Sequence, residues 1–159
     1  VDVGGGNGTL LIAMLAKYPA LRGTVLDLPG AAEAARKALT AAGLADRGDA
    51  IAGSFFDPLP PGAGGYLLCA ILHDWDDPAA RAILRRCAEA AGSAGKVFVV
   101  EKFATDADSR TEMDLRVLAY FGGRERTVAH LATVAAAAGL RVAAVHPAGT
   151  TPVVELTAP

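Results

Sequence analysis

The stretch VDVGGGNGTLLIAMLAKYP, residues 1–19, decides the fold. Val1 to Val3 reads as the end of a strand, and Gly4-Gly5-Gly6-Asn7-Gly8 is too rich in glycine to be helix or sheet. From Thr9 the apolar residues Leu10, Leu11, Met14 and Leu15 recur at helical spacing until Pro19 stops the pattern. A second strand, Thr24 to Leu28, follows and carries Asp27 near its end. Strand, glycine loop, helix and strand make the opening of a nucleotide-binding βαβ unit. The glycines let the backbone turn sharply and keep Cβ atoms away from a ligand, while the helix from Thr9 offers unpaired N–H groups and a positive dipole end. Asp27 is placed to accept hydrogen bonds from both hydroxyls of a ribose.

The loop spells G-x-G-x-G, with Thr9 where a dinucleotide fingerprint has its last glycine. Asp2, two residues ahead of the loop, would repel a pyrophosphate but suits a ligand bearing an ammonium group. S-adenosylmethionine has that ammonium, a sulfonium, a ribose and no phosphate. This pattern disfavours a dehydrogenase. Gly53-Ser54-Phe55-Phe56, after a short third strand at Ala50 to Gly53, can lay an aromatic ring on an adenine face, or pack Phe55 or Phe56 into the core.

Downstream, Ala31 to Ala42 reads as a helix stopped by Gly43, and Tyr66 to Leu72 as a central strand that delivers His73 to a rim. Asp77 is expected to cap a helix with Pro78 in its first turn and Leu84, Cys87, Ala88 and Ala91 on its buried face. Lys96 to Glu101 is a fifth strand. Thr111 to Phe121 reads as a helix broken by Gly122-Gly123, and Thr127 caps another that buries Leu131, Val134, Ala135 and Ala138. Leu140 to His146 and Pro152 to Thr157 close the chain as a hairpin. The expected class is α/β, a seven-stranded and mainly parallel sheet with a C-terminal antiparallel hairpin and helices on both faces.

Ligands on such sheets sit at the carboxyl ends of the strands, which brings His73 and Glu101 forward as a pair. A carboxylate near one imidazole nitrogen fixes its tautomer and raises its basicity, leaving the other nitrogen to take a proton. That suits methyl transfer to a hydroxyl, because a phenol has a pKa of about 10 and must lose its proton as it attacks. On charge alone, Glu125 in Arg124-Glu125-Arg126-Thr127 is a favourable anion near a helix N-terminus. His130 and His146 read as structural.

The 159 residues, 52% hydrophobic, suit one globular domain spanning 1–159 and exclude disorder. A net charge of −2 with scattered basic residues gives no nucleic-acid footprint, so a small-molecule partner is expected. Cys69 and Cys87 match no metal template and read as free core thiols in a reducing, cytoplasmic compartment. Charges, Gly or Pro interrupt every apolar run before a membrane span is reached, and no signal peptide is evident. The chain opens inside a strand without an initiator methionine, from which a preceding segment is expected.

The succession DVGGGNGTL, LDLP, GSFFDPLP, ILHDWDD, GKVFVVEKF and GGRERT resembles, over nearly the whole chain, the catalytic domain of S-adenosylmethionine-dependent O-methyltransferases of the plant-caffeate and bacterial polyketide type. The resemblance implies a Rossmann-like class I methyltransferase fold. It implies that Asp2, Gly4, Gly6, Asp27 and Leu28 meet the cofactor, together with Gly53, Ser54, Phe55 and Cys69. It makes His73 the general base, flanked by Glu101 and Glu125, and requires no metal. Asp74, Met113, Val117, Tyr120 and Phe121 would line the pocket of a small hydroxylated aromatic acceptor. Two positions depart from the family pattern: Ser54 replaces a common aspartate, and Cys69 replaces a lysine of many plant members. The family also carries an N-terminal helical domain, not represented in this chain, through which the full-length protein would form a homodimer. Relatives that use the cofactor for hydroxylation or decarboxylation tend to lack the histidine. A non-catalytic cofactor-binding fragment is the remaining alternative.

Overall fold

A computed structural model describes residues 1–104, 123–149 and 151–159. The chain divides into two compact units, Val1–Pro58 and Leu59–Pro159. In the first, β1 (Asp2–Val3) pairs in parallel with β2 (Gly23–Asp27), which pairs in parallel with β3 (Gly48–Ala52). Helices α1 (Thr9–Lys17) and α2 (Pro29–Ala41) supply the crossovers. Of the apolar positions that predicted α1, Leu11 and Leu15 close a core with Val25, Ala32, Ala35, Leu39 and Ala50, while Leu10 is exposed. Burying side chains of this size gains ~1.5–3 kcal/mol each, enough to hold an alanine-rich α2 whose intrinsic propensity alone would leave it marginal.

In the second unit β4 (Gly65–Cys69) pairs in parallel with β5 (Lys96–Val100) across α3 (Asp77–Ala91). Antiparallel to β5 runs β7 (Val153–Thr157), and antiparallel to β7 runs β6 (Arg141–His146). Helix α4 (Val128–Ala136) precedes that hairpin, with Thr127 capping it by accepting the His130 amide at 3.1 Å. Leu131, Val134, Ala135 and Ala138 are all buried, as their spacing predicts. Among the described residues seven strands, parallel pairs first and an antiparallel hairpin last, make the expected α/β class. No helix among the described residues is long and apolar enough to cross a membrane. Cys87 is buried, and burial pushes its thiol up to about 12, so it behaves as a core residue rather than a nucleophile.

Two local expectations need correcting. The central strand ends at Cys69, not Leu72, because Ala70 takes a left-handed conformation with φ 54°, and a 3₁₀ turn at Leu72–Asp74 follows. His73 therefore stands on a turn beyond the strand. The cap of α3 is Asp76, whose Oδ1 accepts the Ala79 amide at 2.9 Å; Asp77 is already inside the helix and its carboxylate is used elsewhere. Left-handed geometry costs an L-residue with a Cβ roughly 1–2 kcal/mol. Ala70→Gly is therefore expected to stabilise the fold by about 0.5–1 kcal/mol after the larger chain entropy of glycine is subtracted. Chemical denaturation measures this, and a loss of stability would contradict it. The helix expected at Thr111 to Phe121 lies outside the described residues, and so do Met113, Val117, Tyr120 and Phe121.

Candidate active site

In the first unit the glycine loop is drawn around the end of β2. Gly4 donates its amide to Leu26 O at 2.8 Å, extending the strand pairing, and Gly8 donates to Gly5 O at 3.0 Å to close the turn. Gly6, at φ 59°, has open space where a Cβ would stand. Asp27 does more than its place in the sequence foretold. Its Oδ2 accepts the Gly6 amide at 2.8 Å and its Oδ1 accepts the Leu28 amide at 2.7 Å, so one carboxylate ties the loop to the strand end. Each oxygen keeps a lone pair, so a ribose hydroxyl can be added at both. Leu28 is largely exposed. Gly53 donates to Asp27 O at 2.9 Å, and Ser54 Oγ accepts the Phe56 amide at 3.2 Å, shaping a turn that sets Phe55 edge-on to Phe56 with centroids 5.1 Å apart.

Asp2 is only 3% exposed, and its Oδ2 is buried without a hydrogen-bond partner among the described residues. A Cβ on Gly5 would meet that oxygen at 2.5 Å, so the loop can lie over the carboxylate only as glycine. Burial, with the negative charge of Asp27 adding to it, pushes the Asp2 carboxyl up to about 6. A buried orphan carboxylate beside a glycine cradle and a ribose-competent acid fits a ligand that carries an ammonium and a ribose. Because the folded pKa lies above its unfolded value, the stability Asp2 contributes is full below about pH 4 and is lost as pH rises through about 6. Asp2→Asn is accordingly expected to be more stable than the parent above pH 6 without ligand, by roughly 2 kcal/mol, and equally stable near pH 4. Unfolding midpoints from pH 4 to 8 test this; a gap that does not vary with pH would contradict it.

The second unit carries His73. Its backbone N–H donates to Glu101 Oε1 at 3.1 Å, and the Ile71 amide donates to the same oxygen at 3.0 Å. The sequence led us to expect Glu101 beside His73; the carboxylate, buried at 4% exposure, also secures the main chain of the turn, and the His73 charge acts on it. Burial raises the Glu101 carboxyl above its usual range, against the opposing pull of His73, the turn amides and Arg126. A second carboxylate, that of Asp74, has its Oδ1 3.4 Å from His73 Nε2. Glu125 is buried at 8% exposure, and Cys69 is half-buried at the end of β4.

Sequence reasoning overlooked the neighbours of Glu125. Arg126 is 3% exposed, and donates Nη1 to Leu72 O at 2.7 Å, Nη2 to Trp75 O at 2.8 Å, and Nε and Nη2 to Asp77 Oδ1 at 3.0 and 2.9 Å. Asp77 Oδ2 meets His130 Nε2 at 2.9 Å. Burial would raise the Asp77 carboxyl, but hydrogen bonds from Arg126 and His130 outweigh it and hold it below the usual range. An arginine between Glu125 and Thr127 gives no pattern from which such burial could be read.

A model of the O-methyltransferase domain matches residues 1–141. The chain belongs to the O-methyltransferase domain family. It is 58% identical over 158 residues to 2,7-dihydroxy-5-methyl-1-naphthoate 7-O-methyltransferase of Streptomyces carzinostaticus, an alignment covering 99% of this chain and 48% of that protein. It is 41% identical to aclacinomycin 10-hydroxylase RdmB of Streptomyces purpurascens, covering 95% of this chain and 42% of the relative. The O-methyltransferase domain thus spans about half the length of the curated relatives it matches. Among solved structures, the NcsB1 O-methyltransferase from neocarzinostatin biosynthesis, in complex with S-adenosylmethionine and 2-hydroxy-5-methyl naphthoic acid, superimposes with a TM-score of 0.95 at 57% identity, covering 99% of this chain and 48% of that one. The fold of the domain is that of the class I methyltransferases.

Proposed function

We propose that this O-methyltransferase domain is the catalytic part of an enzyme that methylates a hydroxyl of a small aromatic or polyketide-derived acceptor, with His73 as the general base. S-adenosylmethionine supplies an electrophilic methyl group on a sulfonium. Asp2 would pair with its ammonium and Asp27 with its ribose, while Gly4, Gly6 and Gly53 leave the backbone open to it. Leu28, Ser54, Phe55 and Cys69 complete the proposed cofactor residues. His73 takes the acceptor's proton, Asp74 balances the imidazolium that forms, and Glu101 and Glu125 serve as its flanking carboxylates. A base of this kind contributes ~10²–10⁴-fold, and alignment of the reactants contributes on the order of 7–11 kcal/mol.

The observation that carries this reading is the His73 turn: its main chain is fastened by buried groups while 23% of the side chain stays accessible, so the imidazole is both fixed and reachable. The naphthoate methyltransferase and the naphthoic acid complex among the relatives support a hydroxylated fused-ring acceptor. Homodimerisation through residues of a longer protein, and a cytoplasmic location, are part of the same proposal and rest on the family resemblance.

The 10-hydroxylase among the relatives favours one second reading, cofactor-assisted hydroxylation. Product masses across a panel of hydroxynaphthoates and phenols separate the two, using the full-length protein. The proposal expects a gain of one methyl group, and a gain of one oxygen instead would establish the second reading.

A further inference from the structure

Every backbone polar group of His73 is taken by a part of the chain distant in sequence. Its N–H is held by Glu101, and its carbonyl accepts the Arg124 amide at 2.9 Å. The neighbouring carbonyls, Leu72 O and Trp75 O, are both held by the one guanidinium of Arg126. Such a turn does not need this to exist, since α3 is already capped by Asp76 and begins with Pro78 in its first turn. Burying a guanidinium is costly unless it is paired and its donors are used, and Asp77 supplies the charge. His130 meets the other oxygen of that carboxylate and so fixes it from α4. Gly123 completes the seat: a Cβ there would collide with His73 O and the carbonyl carbon of Asp74, so the Gly123 backbone lies directly against the turn.

The geometry points to Arg126 as a positioning residue for the base: it spans the two carbonyls on either side of His73 and thereby sets where the imidazole stands. This rests on the reading of His73 as the base. Lysine cannot replace it, because an ammonium on a flexible stem cannot bridge Leu72 O, Trp75 O and Asp77 Oδ1 in one fixed fork. A misplacement of about 1 Å is sufficient to cost ~10²-fold in rate.

The test uses the full-length enzyme and hydroxynaphthoate or phenol acceptors of graded acidity, comparing the parent with Arg126→Lys and His73→Ala. Arg126→Lys is expected to lower kcat by ~10–100-fold with the acceptor KM and the S-adenosylhomocysteine affinity within about threefold. The loss should shrink as the phenol becomes more acidic, because an acceptor already ionised needs no base. Amide exchange at His73 and Trp75 should quicken. Full kcat in a folded Arg126→Lys, or a loss that is uniform across the acceptor series, overturns the positioning role. Should Arg126→Lys fail to fold, Asp77→Asn carries the same test through the carboxylate that orients the guanidinium, with a loss of ~3–10-fold and the same dependence on acidity. A His73→Ala defect that does not depend on acceptor acidity overturns the base assignment itself, and unchanged exchange at the turn in Arg126→Lys overturns only the positioning.

Discussion

His73→Ala in the full-length protein is expected to lower the kcat of the proposed methyl transfer by ~10²–10⁴-fold while S-adenosylhomocysteine affinity stays within about threefold. The separation follows from where the residue stands. His73 lies on the turn after β4, and the groups proposed for the cofactor's ammonium and ribose, Asp2 and Asp27, belong to β1 and β2. The turn itself should survive the substitution, because its fastenings are backbone groups: Glu101 Oε1 takes the amides of residues 71 and 73, and Arg126 takes the carbonyls of residues 72 and 75. Removing the imidazole leaves the alignment of acceptor and methyl group in place, so the remaining rate should exceed that in water. Steady-state kinetics with calorimetric affinities checks both halves. Equal losses of kcat and affinity would mean that the side chain supports the fold instead of the chemistry.

Asp27→Ala is expected to weaken S-adenosylhomocysteine binding on the order of 10²-fold. Two proposed ribose contacts would be removed, each worth about 1 kcal/mol, and more when the acceptor is charged. The loop adds to this, because the same carboxylate holds the amides of Gly6 and Leu28. Without it the glycines regain the conformational freedom that the bound arrangement must remove. Asp27→Asn should lie between the parent and Asp27→Ala, since its amide oxygen can hold one of those contacts. Calorimetry reads the series directly, and an unchanged dissociation constant in Asp27→Ala would remove the residue from the site.

The strand ends were legible in the sequence, because strands alternate with helices: Asp27 closes β2 and Glu101 follows β5, as their patterns predict. The loop was legible too, since glycine at positions of positive φ leaves a composition that nothing else explains. What escaped was the set of contacts that depend on chain folded back from far away. The end of β4 was overrun because the apolar residues 70–72 continue the strand pattern, while the left-handed Ala70 that breaks it has no compositional mark. Glu101 was legible as a neighbour of His73, but its bonds to the turn amides of Ile71 and His73 were not. Arg126 escaped because its partners at residues 72, 75 and 77 lie 49 to 54 positions away in the sequence and meet it only in the tertiary fold.

The central claim is that His73 takes the acceptor's proton during methyl transfer to oxygen. Single-turnover transfer of isotopically labelled methyl from S-adenosylmethionine to a hydroxynaphthoate, run side by side on the full-length parent and His73→Ala, tests it most directly. The account predicts an O-methylated product formed rapidly by the parent and at least ~10²-fold more slowly by the variant. Equal rates in the two proteins would contradict it.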